Sequence, residues 1–263
     1  EAYKRAILRS MRELDLSVAG SRDLDGILRA IRDYSASEAF QEYAEASALK
    51  MVTNLFSDAG RTWRQAARVN SLGRALYAAL MREMKRPTGR RVYGIVQENA
   101  AIIKSLPNSI AREVNEFILR KSQAGVRASD IAGMIQQMFP VKTRAKADLI
   151  ARTEVSKSST ALTQARSEAI GVNWYVWRTS EDSRVRDAHR LMEGVLVRWD
   201  NPPSPEKLDS EKRTFGHYHA GCIFNCRCYA EPVIDLDLIS WPAKVYYGGT
   251  IQRMTRKQFE KVA

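Results

Sequence analysis

Histidine and cysteine are scarce in this chain, three of each in 263 residues. Apolar runs are short, and none approaches the ~18 residues of a membrane-spanning helix. No membrane partner is therefore expected. The opening stretch EAYKRAILRSMRELDLS lacks the apolar centre of a signal peptide, so a soluble protein made in the cytoplasm is the expectation. An initiating Met is missing as well, and the chain is expected to begin inside a longer one. There is no internal repeat and no low-complexity tract, which excludes solenoid and linker architectures. The odd cysteine count argues against a disulfide framework, and Cys226 and Cys228 are too close in sequence to pair comfortably. Neither H-x-E, H-E-x-x-H nor a phosphate-gripping glycine loop occurs, which removes the common zinc deaminases, zinc proteases and P-loop enzymes.

What is present describes a globular chain. Hydrophobic residues make up 44% and charged residues 27%, enough for a sizeable core. The net charge of +12 is uneven: residues 51–180 sum to +12 and residues 181–238 to −3. A basic middle points to a polyanionic neighbour such as DNA, with Arg61, Arg64, Arg68, Lys85, Arg86, Arg90 and Arg91 as the nucleic-acid-facing candidates. A solubilising surface has the same composition, and charge alone does not choose.

The pattern predicts an α+β protein: a mainly helical region over 1–124, then a small α+β domain over 125–263 with a basic tail. Apolar residues recur at helical spacing in EAYKRAILRSMRELDL and again in SRDLDGILRAIRDY, where Ser21 is a candidate N-cap. RTWRQAARVNSLGRALYAALMREMKR reads as a helix, and two shorter ones follow with Pro107 between them. Pro140 is expected to close a short helix after Ser129. TRAKADLIARTEVSKSSTALTQARSEAIGV then reads as one long helix ended by Gly171. Beyond it NWYVWRT alternates like a strand, which sends Trp174 and Trp177 to opposite faces. Short strands are expected at 196–199, within 228–234 and within LDLISWPAKVYYGG. The tail IQRMTRKQFEKVA is read as helical.

Two of the histidines and all three cysteines fall within GHYHAGCIFNCRCY, residues 216–229, and His189 lies some way upstream in SRVRDAH. Zinc takes thiolate and imidazole ligands tetrahedrally, and a tight turn can supply several while a distant ligand staples a second segment to it. The expectation is a structural zinc held by Cys222, Cys226, Cys228 and His189, with His219 competing for the fourth place. Buried thiols without a metal and a catalytic thiol remain open. Before His189, Asp182 is placed to cap a helix over 183–192. Asp182, Arg184 and Arg186 read as a network orienting His189, which Arg152 and Glu154 of the long helix are expected to join.

These residues resemble the phage Mu protein F-like group. The resemblance rests on Ala151-Arg152-Thr153-Glu154, Trp177, Thr179, Asp182, Arg184, Arg186, His189, Gly194 and Cys226-Arg227-Cys228, in that order, over roughly 125–235. Members often place a proline-containing turn before CRC; here the turn is HYHAGCIFN, so the resemblance does not itself choose the ligands. It implies a minor head, or head-morphogenesis, protein of a tailed phage, located in the virion inside the capsid. The implied partners are the portal protein, a major capsid or scaffolding protein and packaged DNA, and the implied role is in head assembly and DNA packaging or ejection. No enzymatic activity is implied. The alternative is a metal-dependent nuclease or toxin-like hydrolase delivered with the DNA.

Overall fold

A computed structural model describes residues 2–52, 89–124 and 126–263. The helix expected from Arg61 to Arg86 lies outside the described residues. The chain divides into two compact units, one taking residues 94–151 with those of 1–53, the other including everything from Arg152 to Ala263. The fold is α+β, with helices confined mostly to the first unit and a five-stranded mixed sheet in the second.

The helical unit contains α1 (Ala2–Ser10), α2 (Arg12–Ala19), α3 (Leu24–Ala36), helical residues 38–52 and most of α4 (Gly89–Gln123). It also takes the first part of α5 (Ala128–Ala169). Each helix buries one apolar stripe. Ile7, Met11, Leu14 and Val18 are shielded from solvent, as are Ile27 and Ile31. The N-cap of α3 is Asp23, whose carboxylate accepts from the Gly26 amide at 2.7 Å. Ser21 donates backwards to the Ser17 carbonyl instead, which corrects the expected cap.

Pro107 and Pro140 do not end helices: both lie inside them, in α4 and α5. An interior proline removes one backbone hydrogen bond and costs ~3 kcal/mol. Here the buried stripe continues in register across it. Ile95, Ile103, Leu106, Ile110 and Val114 line one side of α4, and Ile131, Ile135, Phe139 and Ala147 one side of α5. Each large aliphatic side chain contributes ~1.5–3 kcal/mol on burial, so keeping both sides of the proline in one stripe outweighs the lost bond.

Gly171 ends α5 as the sequence predicts. It adopts φ +75°, the Val172 amide reaches back to the Ser167 carbonyl at 2.8 Å, and its own amide reaches Glu168 at 3.1 Å. This is a Schellman closure, which satisfies carbonyls left over at the helix end. The chain then enters β1 (Trp174–Arg178), with β2 (Val195–Arg198), β3 (Tyr229–Pro232), β4 (Ala243–Tyr247) and β5 (Thr250–Met254) following. Their order is β3-β1-β2-β4-β5, with β2 and β4 parallel and all other neighbours antiparallel. Strand β1, between β3 and β2, is buried on both faces. Trp174 and Val176 pack with Leu196, Val245 and Phe259, while Tyr175 and Trp177 pack with Trp199, Tyr218, Cys226 and Cys228.

The tail is not helical throughout. Gly248 and Gly249 both take positive φ, which allows a tight two-residue hairpin and folds β5 back on β4. Only α8 (Arg256–Phe259) is helical, opened by a Thr255–Gln258 capping box. Two short helices connect the strands, α6 (Asp187–Leu191) and α7 (Pro205–Leu208). Among the described residues no helix is long and apolar enough to cross a membrane.

Candidate metal centre and its groove

His189 Nδ1 and the sulfurs of Cys226 and Cys228 lie within 4.8 Å of one another, and all three residues are buried. Each residue comes from a different local device. Helix α6 carries His189. Cys228 leads directly into β3, and Cys226 lies on the turn before it, opened by Asn225 at φ +53°. Asparagine tolerates that left-handed conformation better than most side chains. The Asn225 amide donates to Thr153 Oγ1 on α5 at 3.3 Å, which ties the turn to the helix. Gly221 brings the preceding loop down flush. A Cβ at that position would meet Ser156 Oγ, the Cys228 carbonyl and Thr160 Oγ1 at 2.7–2.9 Å. Thr160 Oγ1 donates to the Ala220 carbonyl at 2.7 Å.

Hydrogen bonds set the histidine's tautomer. Tyr218 donates its hydroxyl proton to Glu206 Oε1 at 2.5 Å, so its oxygen is left to accept from His189 Nε2–H at 2.9 Å. The Nδ1 lone pair therefore faces both sulfurs, each at 3.5 Å. One lone pair satisfies one S–H donor. A metal ion satisfies both sulfurs. A tetrahedral zinc with bonds of about 2.3 Å to sulfur and about 2.05 Å to nitrogen sets an S···N edge of about 3.5 Å, so these three donors fit three of the four corners of such an ion. The Cys228 amide also donates to Cys226 Sγ at 3.4 Å, which favours a thiolate there. The Cys226 thiol is pulled down, first by the side-chain hydrogen bond from Cys228 and then by His189. The same bond, with burial, pushes Cys228 up.

The structure does not bring Cys222 or His219 into this group. Cys222 sits beside Thr160, its thiol pushed up to about 11 by burial. His219 meets the Tyr175 hydroxyl through Nδ1 at 3.1 Å, and its ring also hydrogen-bonds the Trp199 backbone. Burial lowers its pKa to about 4. His217 is exposed and faces the Pro202 carbonyl.

Asp182 does not cap a helix over 183–192. Its carboxylate holds Arg227 from two sides and accepts from the Arg184 amide at 3.0 Å, forming a turn; α6 begins only at Asp187. The Arg227 guanidinium keeps the Asp182 carboxyl well below the usual carboxylate range. Arg186 donates to the Phe224 carbonyl at 2.9 Å and stacks on the Phe224 ring. Glu154 pairs with Lys157 at 3.1 Å. The groups that orient His189 are thus Tyr218 and Glu206, which sequence reasoning missed. Glu206 sits in a Pro-rich stretch that reads as a polar loop, and nothing in the sequence links it to a histidine seventeen positions earlier.

The trio opens on a groove of about 720 Å³, walled by Arg152, Arg184, Arg186 and Arg227. Of the basic candidates named from charge, Arg90 and Arg91 are exposed at the start of α4. Arg61, Arg64, Arg68, Lys85 and Arg86 lie outside the described residues.

Residues 112–231 match the family described as Phage Mu protein F like protein. An uncharacterised protein of Haemophilus influenzae is 33% identical over 145 residues, which are 55% of this chain and 30% of that protein. The match therefore spans less than a third of that relative. No solved structure matches the chain. The matched residues include the three metal-competent donors, their orienting Tyr218 and Glu206, and all four groove arginines. Residues 112–231, a little under half of the chain, are thus similar to the phage Mu protein F-like family.

Proposed function

We propose that the protein is a minor head protein of a tailed phage, located inside the capsid and associated with the portal, acting in head assembly and in DNA packaging or ejection. The observation that carries this reading is the family match over 112–231. The convergence of its motif residues supports it: Thr153 of ARTE holds the turn before CRC, and Arg227 of CRC holds Asp182. In this reading the helical region over 1–124 docks on the portal or the inner shell. The region over 125–263 carries the motif core, and basic side chains face packaged DNA without reading its sequence. The metal is zinc, held by His189 Nδ1 and the thiolates of Cys226 and Cys228, and it staples α6 to the turn before β3. Its role is structural: binding adds folding energy to a unit with a small core.

Mass spectrometry of purified heads of the encoding phage tests the location. The protein is expected there in a few copies per head, and co-purified with the portal from disrupted particles. Heads that assemble and package normally without it, or that never contain it, would overturn the reading. Elemental analysis of the purified chain tests the staple. About one zinc per chain is expected, lost together with the near-ultraviolet circular dichroism signal in Cys226→Ser/Cys228→Ser. A second reading, a metal-dependent nuclease or toxin-like hydrolase, draws on one observation, that the three donors line an open groove. It requires cleavage of DNA by the zinc-loaded chain that disappears in His189→Ala.

A further inference from the structure

We propose that the arginine-walled groove is a binding site for a phosphate-bearing ligand of nucleotide size. Among the described residues four guanidinium groups line it, from Arg152 on α5, Arg184 and Arg186 before α6, and Arg227 between the two buried cysteines, and no carboxylate does. Among the described residues the acid paired with these arginines is Asp182, which pairs with Arg227 and Arg184 and leaves the balance positive. Arg186 is held in place at the groove wall by the Phe224 ring and carbonyl, so its guanidinium is already positioned there. Guanidinium forks match phosphate oxygens two at a time, which makes arginine the usual residue for this recognition. A phosphate carrying up to two charges balances this wall better than one carboxylate does.

Size and shape agree. About 720 Å³ lies inside the ~300–1,000 Å³ range of small-ligand sites. Tyr229 lines the same groove and is 54% exposed, an aromatic face on which a base can stack. The ligand is therefore placed with its phosphate among the arginines and its base toward Tyr229. The site is argued from these side chains and does not depend on the head role, although the donors His189, Cys226 and Cys228 line the same groove.

The test uses the full chain with a short, fluorescently labelled single-stranded oligothymidylate and with inorganic phosphate as competitor. Arg152→Gln/Arg186→Gln is expected to weaken oligonucleotide binding at least about tenfold. Arg253→Gln, exposed on β5 away from the groove, is expected to bind like the parent chain. Tyr229→Ala is expected to weaken the oligonucleotide several-fold. Displacement of the label by millimolar phosphate would identify the phosphate group itself, free or esterified, as what is bound. Retention of the label, with continued dependence on the arginines and Tyr229, would identify a nucleic-acid strand as the source. Absence of binding by either probe, or equal losses in the groove and Arg253→Gln variants, would overturn the proposal.

Discussion

Gly171 and Gly221 share a left-handed backbone, φ +75° and +82°, and differ in their surroundings. Around Gly171 an added methyl meets nothing within 4 Å, whereas at Gly221 it collides with a carbonyl and two hydroxyls. Gly171→Ala is expected to cost only the backbone strain, about 1 kcal/mol. Gly221→Ala adds overpacking against α5 and the Cys228 carbonyl and is expected to cost roughly 3 kcal/mol or more. Urea denaturation of the two variants side by side checks the contrast; equal losses would mean that Gly221 is not pressed against the helix. Tyr218 offers a second test at this scale. Tyr218→Phe removes the acceptor of His189 Nε2–H and the donor to Glu206 together. Zinc affinity, measured by competition with a chelating dye, is expected to fall about 10–100-fold, as for other groups that orient a metal-bound histidine. The cysteines and His189 were legible as candidates because their side chains have few other uses at that density. Glu206 and Tyr218 were not, since their role depends on a contact between distant loops.

Among the elements, α4 and α5 show where local rules lost. A proline interrupts backbone bonding wherever it stands, and the sequence accordingly reads as a helix end at Pro107 and Pro140. The structure keeps both helices whole because Ile103 and Ile110, and likewise Phe139 and Ala147, must stay on one buried stripe. Pro140→Ala restores one helical amide on an exposed face and is expected to stabilise the chain by about 1 kcal/mol, part of the full proline cost. A lower denaturation midpoint in this variant would indicate that the proline sets a bend the packing requires. The tail hairpin is the reverse case. Gly248–Gly249 between two alternating runs is a hairpin signal present in the sequence, and the helical reading of the tail passed over it. Gly171 was read correctly because a helix-ending glycine needs only local geometry.

At the scale of the whole molecule, acid stability tests how the sheet and its loops are joined. His219 is held neutral in the folded state, with its pKa lowered from 6.5 to about 4, first by burial. A depressed histidine contributes its full stability above the unfolded value, and that contribution is lost as pH falls from 6.5 towards 4. The loss reaches about 3 kcal/mol at the acid end. Denaturation midpoints measured across this window are expected to fall with pH in the parent chain. They are expected to flatten in His219→Gln, whose amide keeps a donor and an acceptor but does not titrate.

The sequence by itself determined the α+β class, the helical stripes of the first unit, the strand at Trp174–Arg178, the end of the long helix and the crowding of His and Cys near CRC. Each of these follows from periodicity, local backbone chemistry or residue identity, which act over a few neighbours. Tertiary structure alone decided which donors meet: His189, Cys226 and Cys228 together, with His219 turned to Tyr175 and Cys222 left beside Thr160. It also decided that Asp182 serves Arg227 rather than a helix, and that four arginines scattered from 152 to 227 wall one groove. Those outcomes depend on packing between segments far apart in the chain, where geometry selects among groups that are chemically equivalent in sequence.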